Sequence, residues 1–304
     1  MNSRMQASLL ADGRLHLNDG PIDLIVLADG SESARRAALE AAVARFSSVL
    51  DELCAELPYL RTAASRFRPR PNGVIARRMD AAARSLSDAR FITPMAAVAG
   101  AVADEILAAM LDAVELRRAY VNNGGDIALH VRDGASLRVG VVDRPDEPSL
   151  FGVAALEERH GVGGVATSGW RGRSFSLGIA DTATVLATNA AAADAAATLI
   201  ANAVDLPDHP NIVRAPAREC DPQSDLGDRL VTRAVGDLAE SDIAAALTRG
   251  EEEARRLIAS GSIIAASLRL RGATRVVGVL GAPARKDVIR ERENSKWRLS
   301  SASS

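Results

Sequence analysis

The chain has 304 residues and a mass of 31.9 kDa, with 47% hydrophobic and 25% charged residues, enough for a sizeable core in one large or two moderate domains. A formal net charge of -2 and a sequence pI near 6.1 supply no global basic field, so neither nucleic acid nor an anionic membrane is an expected partner. Two cysteines, Cys54 in a helical pattern and Cys220 in a polar loop, lack metal or redox spacing and suit a reducing compartment.

The first residues, MNSRMQASLLADGRLHLNDG, contain no continuous apolar run with a cleavage site, and no segment reads as a membrane span of roughly 18 apolar residues. A cytoplasmic protein is the expectation. From Gln6 to Ala28 the apolar runs break at Asp12-Gly13 and Asp19-Gly20-Pro21, which predicts two or three antiparallel strands joined by tight turns. Ser31 or Ser33 caps a helix that carries Phe46, Val49 and Leu53 until Pro58 stops it. The arginine-rich segment LPYLRTAASRFRPRPNG reads as a loop whose arginines either lie over the core or meet phosphate. A second helix starts at Thr93-Pro94, a capping residue followed by proline at the first helical position, and runs through MAAVAGAVADEILAAMLDAVEL. Its small residues, Gly100 among them, allow another backbone to come close.

Next come Asn122, Asn123, Gly124, Gly125 and Asp126. Asn-Gly between apolar strands is a strong hairpin signal, yet a second glycine and a carboxylate exceed what a two-residue turn needs, so a ligand-facing turn competes with a plain hairpin. A strand at Ser136 to Val142 and a surface loop at RPDEPS follow. In the stretch from Gly161 to Val204, Ala166-Thr167-Ser168-Gly169 ends a strand-like run in a small polar turn. Asp194 and Thr198 then stand four apart in an alanine-rich run, which puts a carboxylate and a hydroxyl one turn apart on one helix face. Such hard oxygen donors suit Mg²⁺ completed by water or phosphate, and they equally suit a polar helix face. That helix is expected to start near Thr188-Asn189, with N–H groups that favour an anion.

Beyond it, DPQSDLGD reads as a turn into Leu230-Val231-Thr232, and Ser241 caps a helix through AAALTRGEEEARRLIASG that Gly250 divides. Two strands, Ser262–Leu270 and Arg275–Leu280, flank an Arg-Gly turn, and the tail from Lys286 is charged, serine-rich and expected to fray. The four histidines, His16, His130, His160 and His209, have no ligand spacing. The fold class is α+β, with mostly antiparallel sheets packed with long helices. Residues 1–285 form one such domain or two intimately packed subdomains, followed by a tail at 286–304. The GVGGVATSG run is not a dinucleotide fingerprint, because no helix opens directly from it.

NNGGDIA at 122–128, ATSG at 166–169 and ADAAATLIANAV at 193–204 resemble, in order and context, the motifs of the ApbE-type flavin transferases, over roughly Thr93 to Val204. The resemblance implies a T-fold-related, ApbE-like architecture. It implies Mg²⁺ at Asp194 and Thr198 beside the pyrophosphate of FAD. It also implies a cofactor cleft lined by Asn122, Asn123, Gly124, Gly125, Asp126, Thr167, Ser168 and Gly169, with Arg173, Ser176 and Asp181 from the segment that follows. Members of that family transfer FMN to a threonine of a target protein, using a His-x-x-Asp-Pro signature between the second and third motifs. Here that place holds Arg173-Ser174-Phe175-Ser176-Leu177-Gly178-Ile179-Ala180-Asp181, without histidine or proline, and the lipoprotein signal common in the family is not seen. The whole pattern resembles the cytoplasmic ApbE-like branch. Three readings follow: a protein that binds a fused heterocyclic cofactor with transfer reduced or absent, an active FAD-dependent FMN transferase using Asp181 or a serine, and a reduced-pterin-binding or accessory protein of a tetrahydromethanopterin-linked one-carbon pathway. No catalytic residue is assigned, the expected partner is a small heterocyclic molecule, and homo-oligomerisation stays open.

Overall fold

The computed structural model describes residues 4–88, 90–142 and 150–278; the RPDEPS loop and the tail from Lys286 lie outside the described residues. The strands are β1 Gln6–Leu9, β2 Leu15–Asp19, β3 Ile22–Asp29, β4 Arg118–Asn123, β5 Asp126–Val131, β6 Ser136–Val142, β7 Leu150–Glu157, β8 Gly164–Ser168, β9 Thr182–Ala187, β10 Ile212–Pro216, β11 Leu230–Val235, β12 Ala265–Leu270 and β13 Ala273–Val277. The helices are α1 Glu32–Phe46, α2 Val49–Ala55, α3 Leu57–Leu60, α4 Val74–Leu86, α5 Val98–Ala113, α6 Ala190–Ala203, α7 Ala217–Cys220 and α8 Glu240–Ala259. Nine strands form one sheet in the order β1-β2-β3-β4-β5-β8-β9-β12-β13, with β6-β7 and β10-β11 as separate pairs. Every neighbouring pair of the large sheet is antiparallel. The architecture is the expected α+β one.

The strict alternation of burial in β2 and β3 shows why these segments are strands. Leu15, Leu17, Leu24 and Val26 turn to one face, where they join the core formed with α1, α5 and α6. The opposite face carries a second cluster, in which Leu129, Val131, Val165 and Leu186 of the large sheet meet Leu137, Val139 and Leu156 of the β6–β7 pair. Helices on one face and a small hairpin on the other leave the ends of β5 and β8 beside α6.

Several local expectations change. The first long helix is three: α1 ends at Phe46, the Ser47-Ser48 pair breaks it, and Pro58 sits in the first turn of α3 instead of stopping a helix. Ser31 caps α1, its Oγ accepting from the Ala34 N–H at 3.2 Å. Helix α4 lies where only the end of a loop is read, its Ile75, Met79, Ala83 and Leu86 forming a buried stripe between arginines. The loop arginines before it hold structure: Arg68 stacks over the Tyr59 ring at 4.0 Å and donates to the carbonyls of Thr62 and Ala63.

The helix expected at Thr93 opens with a 3-10 turn, Pro94–Ala97, and the Thr93 hydroxyl donates to Asp225 instead of capping it. Pro94–Ala113 is long and apolar enough to cross a membrane, contrary to the reading of the sequence, but 56% of its span-length window is buried inside the fold. It is a core helix here. Helix α8 is continuous through Gly250, whose missing side chain admits Val204 and Leu268: a Cβ there would stand 2.3 Å from Val204 Cγ2. Its cap is Ala239, and Ser241 lies within the first turn. Strands β7 and β10 go unread in the sequence.

Candidate functional site

Helix α6 supplies the floor of the site. Ten of its residues are buried, and the partly exposed ones are Ala192, Asp194, Thr198 and Asn202. Asp194, Thr198 and Asn202 repeat at four-residue spacing, so they form one polar stripe along an otherwise enclosed helix. Helix α5 runs beside it at backbone contact. A Cβ on Gly100 would stand 2.3 Å from the Ala190 carbonyl oxygen, so only glycine permits this approach. The contact brings the Gly100 N–H to Asp194 Oδ2 at 3.0 Å.

The start of α6 differs from the sequence expectation. Asn189 caps it as placed, accepting from the Ala192 N–H at 2.8 Å. The N–H groups expected to attract an anion are already taken, because Asp104 of α5 accepts from Ala190 and Ala191, each at 2.9 Å. The helix terminus is closed by an internal carboxylate and offers a ligand nothing. Gly163 and Gly164 pack against the backbone of Thr188 and Asn189, which explains the glycines of GVGG as spacing.

The hairpin β4–β5 forms the wall above the stripe. Its turn uses Gly124 at φ +64° and Gly125 at φ +115°, with Asn122 Oδ1 accepting from the Gly125 N–H at 2.8 Å. Asn123 faces the helices and donates to the Ala99 carbonyl at 3.1 Å. Asp126, paired with Asn123 across the hairpin, shares that face, and its Oδ1 accepts from the Thr167 N–H at 3.2 Å. Alternation along β8 puts Ser168 on the helix side and Thr167 on the other, where the Thr167 and Thr184 hydroxyls meet at 2.9 Å.

Asp126 and Asp194 are therefore neighbouring carboxylates in a poorly solvated place. Desolvation raises the Asp126 carboxyl to about 7, against the lowering effects of the Thr167 N–H and the Arg173 charge. Desolvation, then the Asp126 charge, pushes Asp194 well above the carboxylate range, although the Gly100 N–H works against it. Burial also raises Asp104, despite its two helix N–H bonds. Among the described residues no group of three or more His, Cys, Asp or Glu side chains is set to hold a metal, so a cation here would have two carboxylates, the Thr198 hydroxyl one turn along α6, and outside oxygens as donors. That donor set is hard, small in number and open, which fits Mg²⁺ better than a closed Zn²⁺ or Ca²⁺ cage.

Three sequence candidates hold the fold together locally. Asp181 accepts from Trp170 Nε1, Arg171 Nε and the Arg271 N–H at 3.3, 3.0 and 2.6 Å, which ties the loop after β8 to the β12–β13 turn. Ser176 donates to Asn202 Oδ1 at 3.1 Å and accepts from the Gly178 N–H. Gly169 is needed for packing, since a Cβ there would stand 2.3 Å from the Asp181 carbonyl oxygen. Arg173 is brought to the site, its guanidinium lying on the hairpin turn so that a Cβ at Gly124 would stand 2.0 Å from Nη2. Asp104 and Asn202 escaped sequence reading; the i, i+4, i+8 polar repeat Asp194-Thr198-Asn202 was the available signal for the second.

A family model described as "AbpE bacteria" matches residues 7–276. A UPF0280 protein of Methanopyrus kandleri is 37% identical over 181 residues, covering 59% of this chain and 69% of that one. Another, from Methanothrix thermoacetophila, is 40% identical over 125 residues, covering 37% of this chain and 46% of its own length. The match thus spans about half of the second relative. The crystal structure of apo Pseudomonas stutzeri flavinyl transferase ApbE aligns over 91% of this chain and 95% of that one, at 12% identity and a TM-score of 0.38. The chain belongs to the ApbE-like family, and its relatives named here are UPF0280 proteins.

Proposed function

We propose that the protein binds a fused heterocyclic cofactor, a flavin first of all, over the polar stripe of α6, together with Mg²⁺, and that flavin transfer is reduced or absent. The observation that carries this reading is the desolvated pair Asp126 and Asp194. Two carboxylates that cannot both ionise cheaply hold protons until a cation replaces them. Asp126, Asp194 and Thr198 would hold the ion, and bound Mg²⁺ supplies positive charge against a pyrophosphate. The chain's own part is to keep both carboxylates on one face, exclude water through the α5–α6 contact, and aim the Gly100 and Thr167 N–H groups at them.

Loss of transfer is supported by the segment 173–181, which holds no histidine and whose Asp181 and Ser176 are occupied in structural hydrogen bonds. Incubation with FAD, Mg²⁺ and a threonine-bearing acceptor is expected to yield no covalent flavin, while calorimetry is expected to show Mg²⁺-dependent FAD binding. Covalent product that disappears in Asp194→Ala would establish the active transferase instead, and indifference to every flavin would end the flavin reading. A reduced pterin is the second reading, favoured by relatives that come from Methanopyrus and Methanothrix. Preference for a reduced pterin over FAD in the same titration would select it.

A further inference from the structure

Two arginines two residues apart have opposite situations. Arg171 is held by Asp181 at 3.0 Å and stacks over the Trp170 ring at 4.4 Å. Arg173 is exposed, and the described residues give it neither an ion pair nor a hydrogen bond. Its guanidinium nevertheless has a defined place. Cζ and Nη2 lie 3.3 and 2.0 Å from where a Cβ on Gly124 would be, so the plane rests on the bare peptide of the hairpin turn, and its charge reaches Asp126 without touching it.

An arginine parked on glycine beside a carboxylate it does not bind keeps its donors for something else. The fork of a guanidinium matches the oxygens of a phosphate, and it matches them bidentately. We infer that Arg173 is the specificity-determining residue that selects a phosphate-bearing form of the ring cofactor over the phosphate-free form, by gripping the phosphate from the hairpin side while the Asp126–Asp194 cation site holds it from the helix side. Gly124 is part of this device, because any side chain there evicts the guanidinium. The inference rests on the proposed cofactor cleft and adds to it which chemical form enters.

The experiment titrates the full chain with FAD, FMN, riboflavin and Mg²⁺-pyrophosphate, in the native protein and in Arg173→Ala and Arg173→Lys, with thermal unfolding as the check on folding. Arg173→Ala is expected to weaken FAD, FMN and pyrophosphate by about 10-fold or more, the loss of a charge-assisted pair, and to leave riboflavin unchanged. Arg173→Lys keeps the charge without the fork and is expected to fall between. Unchanged pyrophosphate affinity in Arg173→Ala overturns the inference, as does an equal loss for riboflavin. Pyrophosphate that binds through Arg173 in a protein indifferent to FAD, FMN and riboflavin would instead remove the flavin reading and leave the phosphate clamp standing.

Discussion

The two ends of one polar arrangement on α6 behave in opposite ways. At the helix start, Asp104 is a half-buried carboxylate whose two oxygens each accept a helix N–H, beside the positive end of the helix dipole. One turn further on, Asp194 has the Gly100 N–H but also the Asp126 carboxyl beside it. Both aspartates come from alanine-rich helices and both are desolvated. The first is answered from within the fold and serves as structure. The second has a like charge beside it, a cost that a bound cation would repay on the proposed reading. On that reading the difference between them separates a carboxylate that holds the protein together from one available to a ligand.

The contrast can be broken at its hinge. Gly100→Ala drives a methyl into the Ala190 carbonyl, separating α5 from α6 and undoing the Asp104 and Asp194 contacts together; a loss of about 3 kcal/mol in urea unfolding is expected. A second pair of variants sharpens it by giving opposite signs. Asp104→Ala leaves two helix N–H groups without acceptors and is expected to cost about 2 kcal/mol. Asp194→Asn keeps an acceptor for Gly100 while removing the like charge, so at pH 8 without metal it is expected to stabilise by about 1 kcal/mol and to abolish Mg²⁺ binding. Equal destabilisation by both variants would show that the two carboxylates do the same job.

Smallest, and most specific, is the effect of pH. With Asp126 raised to about 7 when folded and near 4 in an unfolded chain, the folded protein holds a proton that the unfolded chain has released. The stability this gives is complete below about pH 4 and is lost as pH rises through about 7. In chelator, unfolding free energy is expected to fall between pH 5 and 8, less steeply in Asp194→Asn, and Mg²⁺ is expected to restore it. A rise over the same interval would mean that the pair does not store protons.

Much of this was legible from local chemistry. Asp12-Gly13, Asp19-Gly20 and Asn-Gly-Gly mark hairpins because they need left-handed backbone, and Asn189 starts α6 because its side chain reaches the Ala192 N–H. What escaped was decided by residues distant in sequence. Helix α4 hides its apolar stripe among Arg77, Arg78 and Arg84, and Arg78 meets its partner Glu105 only in the folded chain. Gly250 looked like a helix break and is a groove for Val204. The start of α6 looked like an anion site because nothing in its own segment reveals that Asp104 arrives from α5. At the site, the spacing of Asp194 and Thr198 suits a metal or a plain polar helix face alike, and the second carboxylate, Asp126, is contributed by the β4–β5 hairpin.

The order of strands in the large sheet nearly follows the chain, from β1 to β5 without a gap. A ribosome therefore finishes this meander, together with α1 and α5, before α6 has been made. In the unfolded chain Asp126 is hydrated and its ionisation costs little. The desolvation that raises it belongs to the finished fold, with Asp194 of α6 beside it. On the proposed reading, a divalent ion bound there would favour the docking of α6 as well as the binding of a cofactor.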